Sequence, residues 1–217
     1  MSLLHPLPSV QTLLLIALSN ALPLLGVLVA GWDIYTLLVF YWCETLLVGF
    51  WTVLTIALHE GEETWSFSGP TKNTSPTAGW GAAFITVHAG FFMAIHLFLM
   101  SVLFGGDWPG HLRSASVFID TFVIGQGLWP MLVVVCLQRA ALFWQERNEP
   151  SVMPAIAGLY LRIIVMQVVI ITGAWGAMLA GSGLFGLILL VGLRTLLDVF
   201  WPRLIGYAVD NMMNRKS

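Results

Sequence analysis

The chain has 217 residues, of which 58% are hydrophobic and 9% charged, with a formal net charge of −2 and a mean hydropathy of +0.87. Soluble domains carry about 25% charged residues, and a water-exposed fold of this composition would present large aggregating apolar patches. That excludes a water-soluble domain, and the balanced charge excludes a basic nucleic-acid-binding surface or an acidic tail.

A bilayer-spanning helix needs about 20 mostly apolar residues. Six stretches satisfy this, at approximately 9–30, 33–58, 80–105, 116–142, 152–180 and 182–206. The expected fold is all-α, a polytopic transmembrane bundle of six helices forming a single domain over residues 1–217. The lipid bilayer is its implied partner. The first stretch lacks a positively charged lead and a small-residue cleavage site, so it reads as a retained helix rather than a signal peptide. A tight turn at Gly31, Trp32 and Asp33 separates it from the second stretch, which carries Glu44 in an otherwise apolar setting.

The polar connection 59–79 has the Ser, Thr, Gly and Pro content of a loop. His59 and Glu60 open a fragment of a zinc-protease pattern whose second histidine is missing, so its glutamates read as a solvated face. The third stretch carries His88 and His96, and the fourth carries Gln126 and Pro130. Pro130, like Pro23 in the first, reads as a packing kink. The fifth stretch holds Arg162 and Gln167. A link at Gly181, Ser182 and Gly183 leads to the sixth, with Arg194 and Asp198. Cys43 and Cys136 lie within apolar stretches and do not suggest a disulfide.

Lys72, Arg139, Arg147, Arg203, Arg215 and Lys216 fall on one side of this topology, and only Arg113 on the other. The positive-inside rule then predicts both termini in the cytoplasm, and a plasma (inner) membrane location is expected. Trp32, Trp80, Trp108, Trp144 and Trp201 fall near predicted ends, where indoles sit at headgroup level.

Ionisable groups near a bilayer midplane are costly and nearly always paired or functional. A rise of about 1.5 Å per residue puts Glu44, Arg194 and Gln167 near the midplane. His88, Asp198 and Arg162 lie toward the cytoplasm, and His96 and Gln126 toward the outside. In a structural arrangement, Glu44 pairs with Arg194, and Asp198 with Arg162 or Arg194. In a metal centre, Glu44, His88, His96 and Asp198 supply ligands to zinc, iron or manganese, with Arg162 and Arg194 as charge partners. Tyr41, Gln126 and Gln167 add polar lining. His88 and His96 are about 12 Å apart along a regular helix, which works against both binding one ion or one haem. In a relay, the same carboxylates and histidines pass protons across the bilayer, extended by Tyr35 and Tyr41.

Nucleophilic catalysis is poorly supported: there is no GxSxG, neither cysteine has an obvious partner, and an intramembrane pair of Ser101 with a histidine is a minor alternative. His5, His59 and His111 read as solvent or headgroup residues. Three classes follow. The first is a membrane protein with a buried Glu/His/Asp site binding a divalent metal, with no reaction assigned. The second is a small proton- or solute-translocating protein. The third is an accessory membrane subunit held by structural ion pairs, acting as a homo-oligomer or with a partner membrane subunit. Enzymatic activity is left open.

The segments FYWCETLLVGFW, ITVHAGFFMAIHLFLM and VGLRTLLDVF together resemble a family of bacterial integral membrane proteins catalogued as domain of unknown function 6498. The family pattern has a Tyr-Trp-x-Glu-Asn element, a His-Tyr-Gly-x-Phe element with a second histidine, and a late aspartate. These fall on Tyr41, Trp42 and Glu44, on His88, Gly90, Phe91 or Phe92 and His96, and on Asp198. Thr45 stands where the family favours asparagine, and Ala89 where it favours tyrosine. The resemblance implies a shared membrane fold and no particular activity.

Overall fold

A computed structural model describes residues 25–58, 78–146 and 152–180, with Gly192 alone beyond them. Regular structure among these residues is entirely helical. In chain order it comprises a helical stretch at 25–29, α1 (Ile34–Ala57), α2 (Ala78–Phe104), the single turns α3 (Trp108–His111) and α4 (Ala115–Phe118), a π-helical turn Ile119–Gly125, α5 (Trp129–Glu146) and α6 (Val152–Ala180).

Local chemistry sets where α1 begins. Gly31 has a φ of 69°, a left-handed conformation that costs glycine little. Asp33 then caps the helix, its Oδ1 accepting from the Thr36 amide at 2.8 Å, which satisfies one of the helix's orphan donors. Residues Tyr35 to Tyr41 are buried without interruption. A helix apolar all round belongs in the middle of a bundle, and α1 packs on α2, α5 and α6. Its partners bury one stripe each. On α2 the stripe is Ala82, Ile85, Ala89, Met93, His96 and Met100; on α6 it includes Ile156, Leu159, Ile163, Met166 and Ile170. The spacing of three and four residues keeps each stripe on one helical face. The opposite faces expose Val87, Phe91, Leu137, Ile164 and Trp175, which suits hydrocarbon and not water.

Three helices are long and apolar enough to cross a membrane: Ile34–Ala57, Trp80–Phe104 and Val152–Trp175. They coincide with the second, third and fifth expected stretches. The expected stretch 182–206 apart from Gly192, and 9–30 apart from its last few residues, lie outside the described residues. The fourth stretch departs from expectation. It is no continuous span but a bent pair, Ala115–Gly125 and Trp129–Gln145, turned by 94°; counting that pair as one span makes four among the described residues. The cause is local. Gly127 takes a φ of 69°, Pro130 cannot donate to the preceding turn, and the π-helical turn ends at Gly125.

Two aromatic placements also differ from expectation. Trp32 is 4% exposed, and its Nε1 donates to the Gln126 carbonyl at 2.9 Å, so it braces the bend instead of sitting in headgroups. His111 is not a free surface residue. Its ring stacks on Tyr35 and meets Phe122 edge-on. Trp80 and Trp144 are largely exposed, as interfacial indoles are.

Candidate functional site

Two interhelical hydrogen bonds fix the register of α1 against α2. Tyr35 Oη lies 2.8 Å from Ser101 Oγ, and Trp42 Nε1 donates to the Met93 carbonyl at 2.7 Å. The helices therefore run antiparallel, with Glu44 roughly level with residues 91–92. The α1–α6 register comes from the contact between Glu44 and Arg162 and from Leu159 packing where a Gly49 side chain would begin. These contacts also make α1 and α6 antiparallel.

At the centre of this seam Arg162 Nη1 donates to Glu44 Oε1 at 3.2 Å, with side-chain exposures of 22% and 4%. Glu44 is thus held across the α1–α6 interface by a guanidinium from a chain position 118 residues away. Pairing is what a buried carboxylate requires, since desolvating an unpaired charge is prohibitive. The simplest expectation from sequence joined Glu44 to Arg194. Arg194 and Asp198 lie outside the described residues, where that pairing cannot be read; among the described residues Arg162 meets Glu44.

His96 lies on the buried stripe of α2 at 1% exposure. Its Nδ1 is 2.6 Å from the Phe92 carbonyl. A carbonyl oxygen can only accept, so Nδ1 bears a proton, and whenever the ring is neutral its lone pair is on Nε2. That Nε2 is buried and finds no hydrogen-bond partner among the described residues. By the register, His96 sits about 6–7 Å outward of the Glu44 level. Tyr41, buried at 4%, lies less than one turn from Glu44 on α1. Gln167 is partly buried, in the turn after Arg162 on α6.

Farther outward the seam continues through Tyr35 and Ser101, whose Oγ donates to the Leu97 carbonyl at 2.6 Å. It ends at the His111 ring on Tyr35. His111 Nδ1 is buried and likewise finds no partner among the described residues.

His88 stands apart from this line. It is exposed, on the flank of α2 beside the buried stripe. Its Nδ1 is 2.6 Å from Tyr160 Oη of α6, and its ring lies among those of Phe84, Phe92 and Tyr160. The Gln126 side chain is also exposed; it is its backbone carbonyl that meets the bundle. Tyr160 was not singled out in the sequence, although a hydroxyl two residues from Arg162 in an apolar stretch was the signal available.

Among the described residues no three His, Cys, Asp or Glu side chains converge as metal ligands. Glu44, His88 and His96 are separated in depth and direction, and the fourth expected ligand, Asp198, lies outside the described residues. The described set alone does not fit a divalent ion.

A family model described as a family of unknown function, DUF6498, matches residues 3–216. No curated protein and no solved structure matches the chain.

Proposed function

We propose that this chain, which belongs to the DUF6498 family of unknown function, is a small proton-translocating membrane protein whose carriers line the seam between α1, α2 and α6. The observation that carries this reading is the Glu44–Arg162 pair, its carboxylate buried, with His96 Nε2 outward of it and without a partner among the described residues. A buried ion pair is poor value as a fastener, because desolvation consumes much of its Coulomb gain. A half-satisfied histidine one to two turns away is worse, since it costs stability outright. A membrane bundle needing only cohesion has small and apolar residues for the purpose. The combination makes sense if the groups change protonation.

In this reading His96 takes a proton at Nε2 from the outer side, while Nδ1 remains anchored to the Phe92 carbonyl. It returns that proton from Nε2 toward Glu44, with one water bridging the step of about 6–7 Å. Arg162 compensates the carboxylate charge before the proton arrives and is released from Glu44 once the carboxyl is neutral. Asp198 and Arg194 are the proposed inward continuation, at the depth that helical rise assigns them. Tyr35, Ser101 and His111 form the outer approach. The membrane is proposed to be a plasma membrane, bacterial in keeping with the family that the sequence resembles, with both termini cytoplasmic from the Lys and Arg distribution.

The test is proton flux in liposomes loaded with a pH-sensitive dye under an imposed gradient. The wild-type chain should dissipate the gradient, Glu44→Gln should abolish the flux, and Glu44→Asp should retain part of it. Equal flux from wild type and Glu44→Gln, or none above protein-free liposomes, sinks the proposal. It would favour the accessory-subunit reading, in which the pair only holds helices.

A further inference from the structure

By sequence Arg139 belongs to the cytoplasmic margin, but α5 carries it into the bundle. Two contacts set the register of α5 on α1, the helix it packs against. At the outer end Trp32 Nε1 donates to the Gln126 carbonyl at 2.9 Å, just before α5 begins at Trp129. At the inner end the Trp51 and Phe143 rings lie 5.2 Å apart. The two helices therefore run parallel, and Arg139, one turn before Phe143, is level with Leu47. That is about 5 Å along the axis from Glu44. Azimuth agrees with depth. Val135 is buried at 4% and Phe143 touches Trp51, so Arg139, midway between them, lies on the same stripe of α5, where it is partly buried. Glu44 lies two turns from Trp51 along one face of α1. Side chains on a helix lean toward its N-terminus, which for Arg139 is toward the level of Glu44.

This placement changes the charge balance of the interior. Asp33 and Asp120 belong to the outer ends of the expected spans and Arg203 to an inner end. That leaves Glu44 and Asp198 as interior carboxylates, and Arg139, Arg162 and Arg194 as interior guanidiniums. Arg194 and Asp198 lie outside the described residues and enter only this count, at the depths that helical rise assigns them. However the five pair among themselves, one positive charge is left over. A second appears when Glu44 accepts a proton. Uncompensated charge in a low-dielectric interior is costly, and a guanidinium cannot shed its proton. Its planar fork matches a carboxylate, the group that already faces Arg162.

We propose that Arg139 of α5 and Arg162 of α6 form an anion site beside the Glu44 carboxyl, which a small monocarboxylate enters when Glu44 is neutral. The titratable neighbour from α2 is His96. The step balances: a proton passes from His96 Nε2 to a Glu44 oxygen, Arg162 Nη1 gives up Glu44 Oε1, and an oxygen of the entering anion accepts in its place. Resting on the proton relay for that step, the site couples proton uptake to a monocarboxylate.

The test follows the unfolding temperature of the full chain in phosphatidylcholine nanodiscs as sodium acetate is raised, against sodium chloride at equal ionic strength. An anion that binds the folded state alone raises that temperature. Glu44→Gln, which stands for the neutral carboxyl, should show a saturable rise with acetate, half-maximal at a concentration about tenfold lower than in wild type. Adding Arg139→Met to Glu44→Gln should raise that concentration about tenfold, and Arg139→Lys, which keeps the charge, should restore part of the affinity. If Glu44→Gln does not fold, wild type against Arg139→Met carries the same comparison. Equal rises with acetate and chloride would mean charge screening and overturn the proposal, as would an acetate response that Arg139→Met leaves unchanged. No proton gradient is imposed, so the two readings fail separately. Arg139-dependent acetate binding without proton flux defeats the relay alone, and flux without such binding defeats the anion site alone.

Discussion

The seam between α1, α2 and α6 and the bent region 115–145 are both apolar enough to cross a membrane, yet they solve the membrane problem in opposite ways. In the seam, helices stay continuous and side chains reach across: Arg162 to Glu44, Tyr35 to Ser101, Trp42 to the Met93 carbonyl. In the bend, the backbone itself departs from regular geometry, and the Trp32 indole meets the Gln126 carbonyl. Non-helical backbone at membrane depth is tolerated only where it is buried in protein or lines a cavity. The comparison shows that apolarity decides whether a segment enters the membrane, while glycine and proline decide its shape once there. Placement of charge decides what it does.

The largest stability effect should come from the seam. Arg162→Met removes one guanidinium from the buried Glu44 carboxylate and should cost about 2–3 kcal/mol, less than for a fully buried pair because Arg162 is 22% exposed. Combining it with Glu44→Gln should recover part of that loss, because the carboxylate that Arg162 faces is then neutral. Unfolding in mixed micelles, followed by circular dichroism, reads both. If the single variant were as stable as wild type, the pair would be no more than a surface contact.

Next in size is the bend. Gly127 sits at a φ of 69° with open space where a Cβ would go, so Gly127→Ala introduces backbone strain and no clash. About 1–2 kcal/mol is expected from forcing an L residue left-handed. Trp32→Phe keeps the buried ring and removes only the N–H to Gln126, which should cost about 1 kcal/mol. Both changes should leave proton flux intact while Arg162→Met does not. Flux lost in Gly127→Ala would move the functional centre from the seam to the bend.

Much of this division was legible in the sequence, and the remainder was hidden for identifiable reasons. Spans 33–58, 80–105 and 152–180 follow from length and hydropathy, and they coincide with three apolar helices. The depth order, with Glu44 central and the two histidines on opposite sides, follows from helical rise alone, and the interhelical registers agree with it. The bend did not follow, because a proline in an apolar run signals only a kink. The 94° turn needed Gly127 and the π-helical turn together, and neither is visible to a hydropathy window. Depth also says nothing about azimuth. His88 and His96 look equivalent along the chain, but eight residues on a helix leave them about 80° apart. One faces the core and the other the flank.

The smallest stability effect should come from His96, and it is the sharpest test of what the seam is for. His96→Leu removes a side chain whose Nδ1 bonds a carbonyl of its own helix and whose Nε2 is buried without a partner among the described residues. The Phe92 carbonyl keeps the backbone N–H four residues on, as every helical carbonyl does, so the substitution creates no new orphan. Replacing a half-satisfied polar group by an apolar one of similar size is near neutral or stabilising, so the change should stay within about 1 kcal/mol of wild type and lean upward. A histidine kept for cohesion would give the opposite sign in the same unfolding measurement. A histidine kept for proton transfer predicts a pairing that cohesion cannot produce: stability level or higher, with proton flux reduced as far as in Glu44→Gln.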